Sequence, residues 1–139
     1  MENAVEERMK AVEQSNERDF NCFGAALYVT GVIDGLKTVN TGPLYPEEEF
    51  DLAGYLGPKR VDEPVPGGYF GIFTDPSSDY IAHLGIIVDV GRKDRNERFA
   101  DTLVWEKCGI FQKAGYSTLG RSMEKYRLYR DVRFYRADM

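Results

Sequence analysis

The sequence has few of the residues on which disulfide-rich and metal-binding domains depend. Its 139 residues include two cysteines and one histidine. Two cysteines are too few for a disulfide framework. A single Cys22–Cys108 bridge is the alternative, but we expect two free thiols. One histidine and two widely separated cysteines lack the close ligand pairs of a zinc site. The sequence therefore predicts no metal and no cofactor.

Long apolar runs are also absent from the sequence. No stretch approaches the ~20 apolar residues that a membrane span requires, so we predict no membrane span. Residues 1–7 are acidic, whereas a signal peptide begins with a basic region followed by an apolar core. We therefore expect a protein that is cytoplasmic or exported by a non-classical route.

An excess of positive charge is missing too. The formal net charge is −5, which disfavours a dedicated nucleic-acid binder. Residues 120–139 are locally basic, with aromatic residues between the charges, and this pattern slightly resembles a nucleic-acid face. We prefer the interpretation that this segment is a strand pair with a solvated basic face, and we predict no nucleic-acid partner.

The composition is that of one globular domain. Hydrophobic residues make up 42 % and aromatic residues 13 % of the chain, and a domain of this size buries roughly two-thirds of its unfolded surface. No repeat or linker divides the sequence. We therefore predict a single domain over residues 1–139.

The first part of the chain has helical patterns. Residues 2–16 place apolar side chains at helical spacing. A second helix is predicted to start at Cys22, with Asn21 or Asp19 as the N-cap. Its apolar face extends to Ile33, and glycines 31 and 35 end it.

The second part of the chain has strand patterns. Residues 36–68 are rich in turns, with a short helix predicted from residue 46 to about 55, and form a plausible cleft wall. Strands are then predicted over 69–73, 80–90, 99–108, near residue 116 and over 132–136. The alternating pattern of the last strand ends the sheet. Residues 121–128 fit either a helix or a strand. Helices followed by a strand meander indicate the α+β class.

Cys22 and His83 are the residues in this sequence best suited to chemistry. A thiolate attacks a carbonyl carbon far better than a thiol does, and a helix N-terminus together with a nearby imidazolium favours the thiolate. Packing of the apolar helix on the strand that contains His83 would bring the two together. Separately, a cysteine on an apolar face is often a small hydrophobe, and a lone strand histidine is often structural.

A third residue is needed to orient the imidazole. A symmetric hairpin loop over residues 91–98 would pair His83 with Glu106, about 5 Å away across the strands. Asp101 lies roughly 16 Å further along the strand at ~3.3 Å per residue, on the opposite face, and is disfavoured. Glu106 could instead lie on a solvated face beside Lys107. Cys108, in an apolar strand, is predicted to pack in the core.

Three segments in this order resemble one family. Residues 21–27 (NCFGAAL) look like the start of the nucleophile helix in NlpC-type and CHAP-type papain-like cysteine peptidases. Residues 66–73 (PGGYFGIF) are similar to the strand that follows it, and residues 82–87 (AHLGII) resemble the strand with the catalytic histidine. The resemblance implies a papain-like, NlpC-like fold, with N-terminal helices packed on an antiparallel sheet.

The resemblance also implies a function. Family members are cysteine peptidases or amidases that cut peptide bonds in bacterial cell-wall stem peptides. Cys22 would be the nucleophile, His83 the base and Glu106 the orienting residue, with Asn21 and Phe23 in substrate binding. Asn21 stands where typical members have Asp.

The partners implied are a peptide or muropeptide substrate and an inhibitor or immunity protein. The alternative hypothesis is an inactive papain-like binding module that recognises a peptide or a protein partner.

Overall fold

The fold is described from a computed structural model, which defines residues 3–40, 50–77, 80–93, 99–109, 112–126 and 131–137. The α-helices in these ranges are α1 (Asn3–Gln14), α2 (Cys22–Val29), α3 (Leu52–Leu56) and α4 (Leu119–Lys125). The strands are β1 (Arg60–Val61), β2 (Tyr69–Phe73), β3 (Ile81–Asp89), β4 (Leu103–Glu106), β5 (Gly115–Thr118) and β6 (Asp131–Tyr135). None of the helices described is both long and apolar enough to cross a membrane.

The six strands form one antiparallel sheet with the order β1-β6-β2-β3-β4-β5. Strands β2 to β5 follow one another as a meander. Strand β6 is the last along the chain, yet it lies between β1 and β2. The predicted α+β class is confirmed: the helices pack against an antiparallel sheet.

Two apolar clusters cover the two faces of the sheet. The larger cluster joins α1, α2 and α3 to Tyr69 and Ile86. The smaller one joins Leu119 of α4 to Phe70 and Ile87. Neighbouring strand residues belong to different clusters because side chains alternate between the faces of a strand. The sheet is therefore a middle layer, with α2 and α4 on opposite sides.

Helix α2 begins at Cys22, as predicted, but ends earlier than predicted. Asn21 has an extended backbone, and its side chain accepts a hydrogen bond from the Gly24 N–H, so Asn21 is the N-cap. The helix ends at Val29 because Gly31 takes the left-handed conformation, with φ of +80°. Ile33, placed on the helical face from sequence, lies outside the helix.

The third predicted helix is shorter than the sequence indicated. It begins at Leu52, where the side chain of Asp51 accepts a hydrogen bond from the Gly54 N–H at 3.0 Å. The predicted start at residue 46 lies outside the described residues.

The predicted strand over 99–108 is also shorter, and the ambiguous segment 121–128 falls largely in a helix. Strand β4 begins only at Leu103, because the N–H of Thr102 closes a turn onto the carbonyl of Phe99. Helix α4 is capped by Thr118, whose hydroxyl accepts a hydrogen bond from the Arg121 N–H. This helix was not assigned from sequence; it carries Ser122 of the candidate site, and Tyr126 follows it directly as the C-cap.

Two arginines of the basic C-terminal segment bind the protein's own backbone. Arg133 donates hydrogen bonds to the carbonyls of Asp75 and Pro76, and Arg136 donates to the carbonyl of Pro58. These contacts connect loops to the sheet. The predicted strand pair in this segment is wrong, because the described part contains α4 and then β6, which pairs with β1 and β2.

Gly24 should not tolerate a side chain. A Cβ atom at this position would lie 1.7 Å from the carbonyl oxygen of Lys37, so Gly24→Ala must push that segment away from α2. We expect a loss of about 1–3 kcal/mol in the free energy of unfolding, measured by urea denaturation. The matched control is Gly57→Ala, because Gly57 has helical backbone angles and open space around it. Equal stability of the two variants would contradict the prediction.

Candidate active site

The start of α2 is held in place by the side chain of Asn21. Its Oδ1 accepts hydrogen bonds from the N–H groups of Gly24 (2.9 Å) and Val39 (3.1 Å), and its Nδ2 donates to the Val39 carbonyl (2.8 Å). The amide thus replaces a backbone peptide and fastens the segment around Val39 to the helix. Cys22, the first residue of α2, is fixed as a result, with 9 % of its surface exposed.

These hydrogen bonds between Asn21 and Val39, which we call the latch, explain why an asparagine suits position 21. A carboxylate at residue 21 would have no donor for the Val39 carbonyl and would place its negative charge against that oxygen. The polar atoms of Asn21 are therefore used inside the protein. Phe23, on the other side of Cys22, is largely buried. The roles of Asn21 and Phe23 in substrate binding remain predictions.

His83 is a fully buried histidine on β3. The ring of Tyr126 stacks on its imidazole with centroids 4.6 Å apart and planes 19° apart. The ring of Phe70 lies on β2, 5.6 Å from the imidazole. These two aromatic rings set the plane of the imidazole.

Glu106 holds one nitrogen of that imidazole. The Nε2–H of His83 donates to Glu106 Oε1 at 2.7 Å, and the hydroxyl of Ser122 donates to the same oxygen, also at 2.7 Å. Glu106 is the last residue of β4, and Ser122 lies on α4. The predicted contact between Glu106 and His83 is therefore present, with a third residue supporting it.

The register that led to Glu106 was wrong by two residues. The symmetric loop placed Trp105 opposite Leu84, whereas Trp105 pairs with Ile86. Because side chains repeat every second residue along a strand, a shift of two keeps Glu106 on the same face. Continuing this register places Gly85 opposite Glu106. A Cβ atom at Gly85 would lie 2.3 Å from the Phe70 ring and 3.3 Å from the Cβ of Glu106, so this close packing requires a glycine.

Cys22 is a second neighbour of the His83 ring. Nδ1 of His83 is buried and has no hydrogen-bond partner among the described residues, while Cys22 is close enough to the ring to influence its charge. Since Glu106 occupies Nε2, Nδ1 is the nitrogen open to the sulfur. The structure therefore brings Cys22, His83 and Glu106 together in that order. Asp101, the disfavoured rival, is exposed in the turn before β4.

The charges of the site favour a protonated imidazole. Burial alone would lower the pKa of His83, but the hydrogen bonds and negative charges of Cys22 and Glu106 outweigh it and raise this pKa to about 9. Burial would likewise raise the pKa of Glu106, but its bonds with His83 and Ser122 prevail and lower it. Together these contacts favour an imidazolium that donates to a carboxylate.

Cys108 is predicted to pack in an apolar strand, but it follows β4, is half-buried and has Glu106 as a polar neighbour. Burial, the charge of Glu106 and a hydrogen bond with that carboxylate raise the pKa of Cys108 to about 12. The side chain therefore stays a thiol at neutral pH. Both cysteines are free, as predicted.

His83, Glu106 and Cys108 could offer nitrogen, oxygen and sulfur ligands to a metal, since their donor atoms lie within 4.8 Å of one another. The Nε2–Oε1 distance of 2.7 Å is that of a hydrogen bond. Two ligands of one tetrahedral zinc ion stand roughly 3.3 Å apart, given bond lengths near ~2.05 Å. The three residues therefore fit a hydrogen-bonded relay better than they fit a metal centre.

Sequence reasoning missed four residues of the site: Lys107, Cys108, Ser122 and Tyr126. Three of them contact His83 or Glu106, and Lys107 lies near Cys22. Ser122 and Tyr126 are four residues apart, a spacing that puts both on one face of a helix. That spacing was the available signal, but it has meaning only once the segment is known to be helical.

The raised pKa of His83 can be measured directly, because it is the only histidine. We expect its ring protons to titrate by NMR with a midpoint near 9, above the ordinary 6.5. In Glu106→Gln the midpoint should fall, because the carboxylate no longer stabilises the imidazolium. A midpoint at or below 6.5 in the wild-type chain would contradict the charge balance described above.

The same pKa has a consequence for stability. Because the folded pKa exceeds the unfolded one, the contribution of His83 to stability is complete below about pH 6.5 and is lost as the pH rises through about 9. The free energy of unfolding should therefore decrease over this range in the wild-type chain.

No protein-family model, curated protein or solved structure matches the chain.

Proposed function

We propose that the protein is a thiol-dependent amide hydrolase with a papain-like site. The observation that carries the proposal is a buried imidazole that is bonded to Glu106 at Nε2 and has no partner at Nδ1 among the described residues, with Cys22 close by. A nucleophile, a base and an orienting group in that order form the general arrangement of cysteine and serine hydrolases. Helices at the N-terminus followed by an antiparallel sheet are compatible with the same family.

In the first half of the reaction, the Cys22 thiolate attacks the amide carbonyl carbon and a carbon–sulfur bond forms. The carbonyl electrons move to oxygen, and His83 gives its proton to the amine nitrogen as the carbon–nitrogen bond breaks. The product is a thioester on Cys22 and a free amine. In the second half, His83 takes a proton from water, which attacks the thioester and releases the acid and the thiolate.

The residues around the pair have defined parts in these steps. Glu106 keeps Nδ1 directed at the sulfur and stabilises the imidazolium from the Nε2 side. The backbone N–H of Cys22 is the donor that we assign to the oxyanion, because the Gly24 N–H is taken by Asn21 and the Ala25 N–H is bonded to the Asn21 carbonyl. The resemblance of residues 21–27 points to a cell-wall stem peptide as the substrate.

Burial of the pair favours a second candidate, a binding module without turnover. Cys22 is 9 % exposed and His83 is 0 % exposed, so a substrate has little access to them in this conformation. A papain-like scaffold that recognises a peptide or a partner protein would have no need of such access. The reactivity of Cys22 distinguishes the two candidates.

Cys22 should react with iodoacetamide at least about tenfold faster than Cys108 near neutral pH, because only thiolates are alkylated and Cys108 stays protonated. Peptide mapping of the labelled chain gives both rates in one experiment. Cys22→Ala should also abolish the digestion of muropeptides, followed by mass spectrometry. Equal rates at the two cysteines, with unchanged function of Cys22→Ala, would favour the binding module.

Glu106→Gln should reduce turnover by about a hundredfold while leaving the fold intact, because it removes the charge that supports the imidazolium. The effect should lie in kcat, with little change in KM. Glu124→Gln is the matched control, since Glu124 is exposed on α4 and outside the site. Turnover within a factor of two of the control would remove Glu106 from the mechanism.

A further inference from the structure

Lys107 occupies a position where a lysine is rarely found. It follows β4 directly, and none of its surface is exposed. Taking an ammonium group out of water costs several kcal/mol unless charges or dipoles replace its hydration. A buried Lys107 ammonium therefore needs nearby acceptors, aromatic rings or negative charges to stabilise it.

The contacts of Lys107 lead to the start of α2. Its Nζ donates a hydrogen bond to the Gly109 carbonyl at 2.7 Å and lies 4.8 Å from the centroid of the Phe20 ring. Phe20 is two residues before Cys22 in the chain. Burial lowers the pKa of Lys107, while the negative charges of Cys22 and Glu17 act in the opposite direction. Cys22 is thus among the groups close enough to act on this ammonium.

Side chains alternate along a strand, and this explains how the adjacent residues Glu106 and Lys107 approach His83 and Cys22 respectively. Glu106 contacts His83 and Ser122, on the side of the sheet that α4 covers. Lys107 is the next residue, so its side chain leaves on the opposite side, where Phe20 and α2 lie. The Glu106 carboxylate therefore contacts His83, and the Lys107 ammonium lies against the segment that contains Cys22.

We propose that the ammonium of Lys107 is a second positive charge that stabilises the thiolate of Cys22, together with the imidazolium of His83. The inference rests on the proposed function and adds a residue to its site. When Cys22 ionises, its proton passes to His83, and Lys107 keeps its own proton throughout. The competing interpretation is that Lys107 only anchors the turn at Gly109, whose φ is +103°.

The first test is the rate at which iodoacetamide alkylates Cys22 at about pH 7 in three chains: wild type, Lys107→Met and Lys113→Met. Lys107→Met should react about tenfold more slowly, because one of two nearby cations is gone. Lys113→Met should react at the wild-type rate, since Lys113 is exposed. A folded Lys107→Met chain that reacts within twofold of wild type would overturn the inference.

The reciprocal measurement leaves the lysine in place and does not depend on how Lys107→Met folds. The pKa of Lys107 is followed by NMR at Nζ in the wild-type and Cys22→Ser chains. It should be lower in Cys22→Ser, because the negative charge that attracts the ammonium has been removed. An anchor for the Gly109 turn would titrate identically in both chains, and that result would overturn the inference.

The two proposals fail in different ways. If Cys22 of the wild-type chain reacts no faster than Cys108, both the proposed hydrolase and the role of Lys107 are wrong. If wild-type Cys22 reacts fast and Lys107→Met reacts equally fast, only the role of Lys107 is wrong.

Discussion

The buried hydrogen bond between His83 and Glu106 is the interaction on which the rest of the site depends. An imidazolium and a carboxylate in the interior are tolerated only when they satisfy each other, and loss of one partner leaves an uncompensated charge. Ser122 adds a second donor to the same carboxylate oxygen, and Tyr126 covers the imidazole. Helix α4 is thus positioned by polar contacts as well as by its apolar face.

Cys22 and His83 are held from opposite sides of the sheet. Cys22 is fixed by the latch between Asn21 and Val39 and by the close approach of Lys37 to Gly24, on the side of the N-terminal helices. His83 is fixed from the side of α4. The sheet lies between these two layers, so the geometry of the pair is set by the packing of the whole domain, and a change in either layer should alter it.

The charges around the pair balance. Glu106 and Lys107 are adjacent in the chain and have opposite signs, and the transfer of a proton from Cys22 to His83 creates one negative and one positive charge. The group of four side chains is therefore neutral before and after the transfer. A buried site favours such an arrangement, because an interior of low dielectric constant penalises a net charge far more than water does.

The sequence by itself determined the features that depend on neighbouring residues. Local propensity and periodicity predict the start of α2 at Cys22, the strand around His83, the α+β order and a cap at Asn21 or Asp19, of which the structure uses Asn21. The tertiary structure alone decided the strand register, the helical state of residues 119–125 and the places of Lys107, Ser122 and Tyr126. The predicted contact of Glu106 with His83 came from a strand register that was wrong by two residues. The contact is still present because side chains alternate with a period of two, so Glu106 stays on the same face. Contacts across strands and layers depend on residues far apart in the chain, and no local pattern encodes which of them will meet.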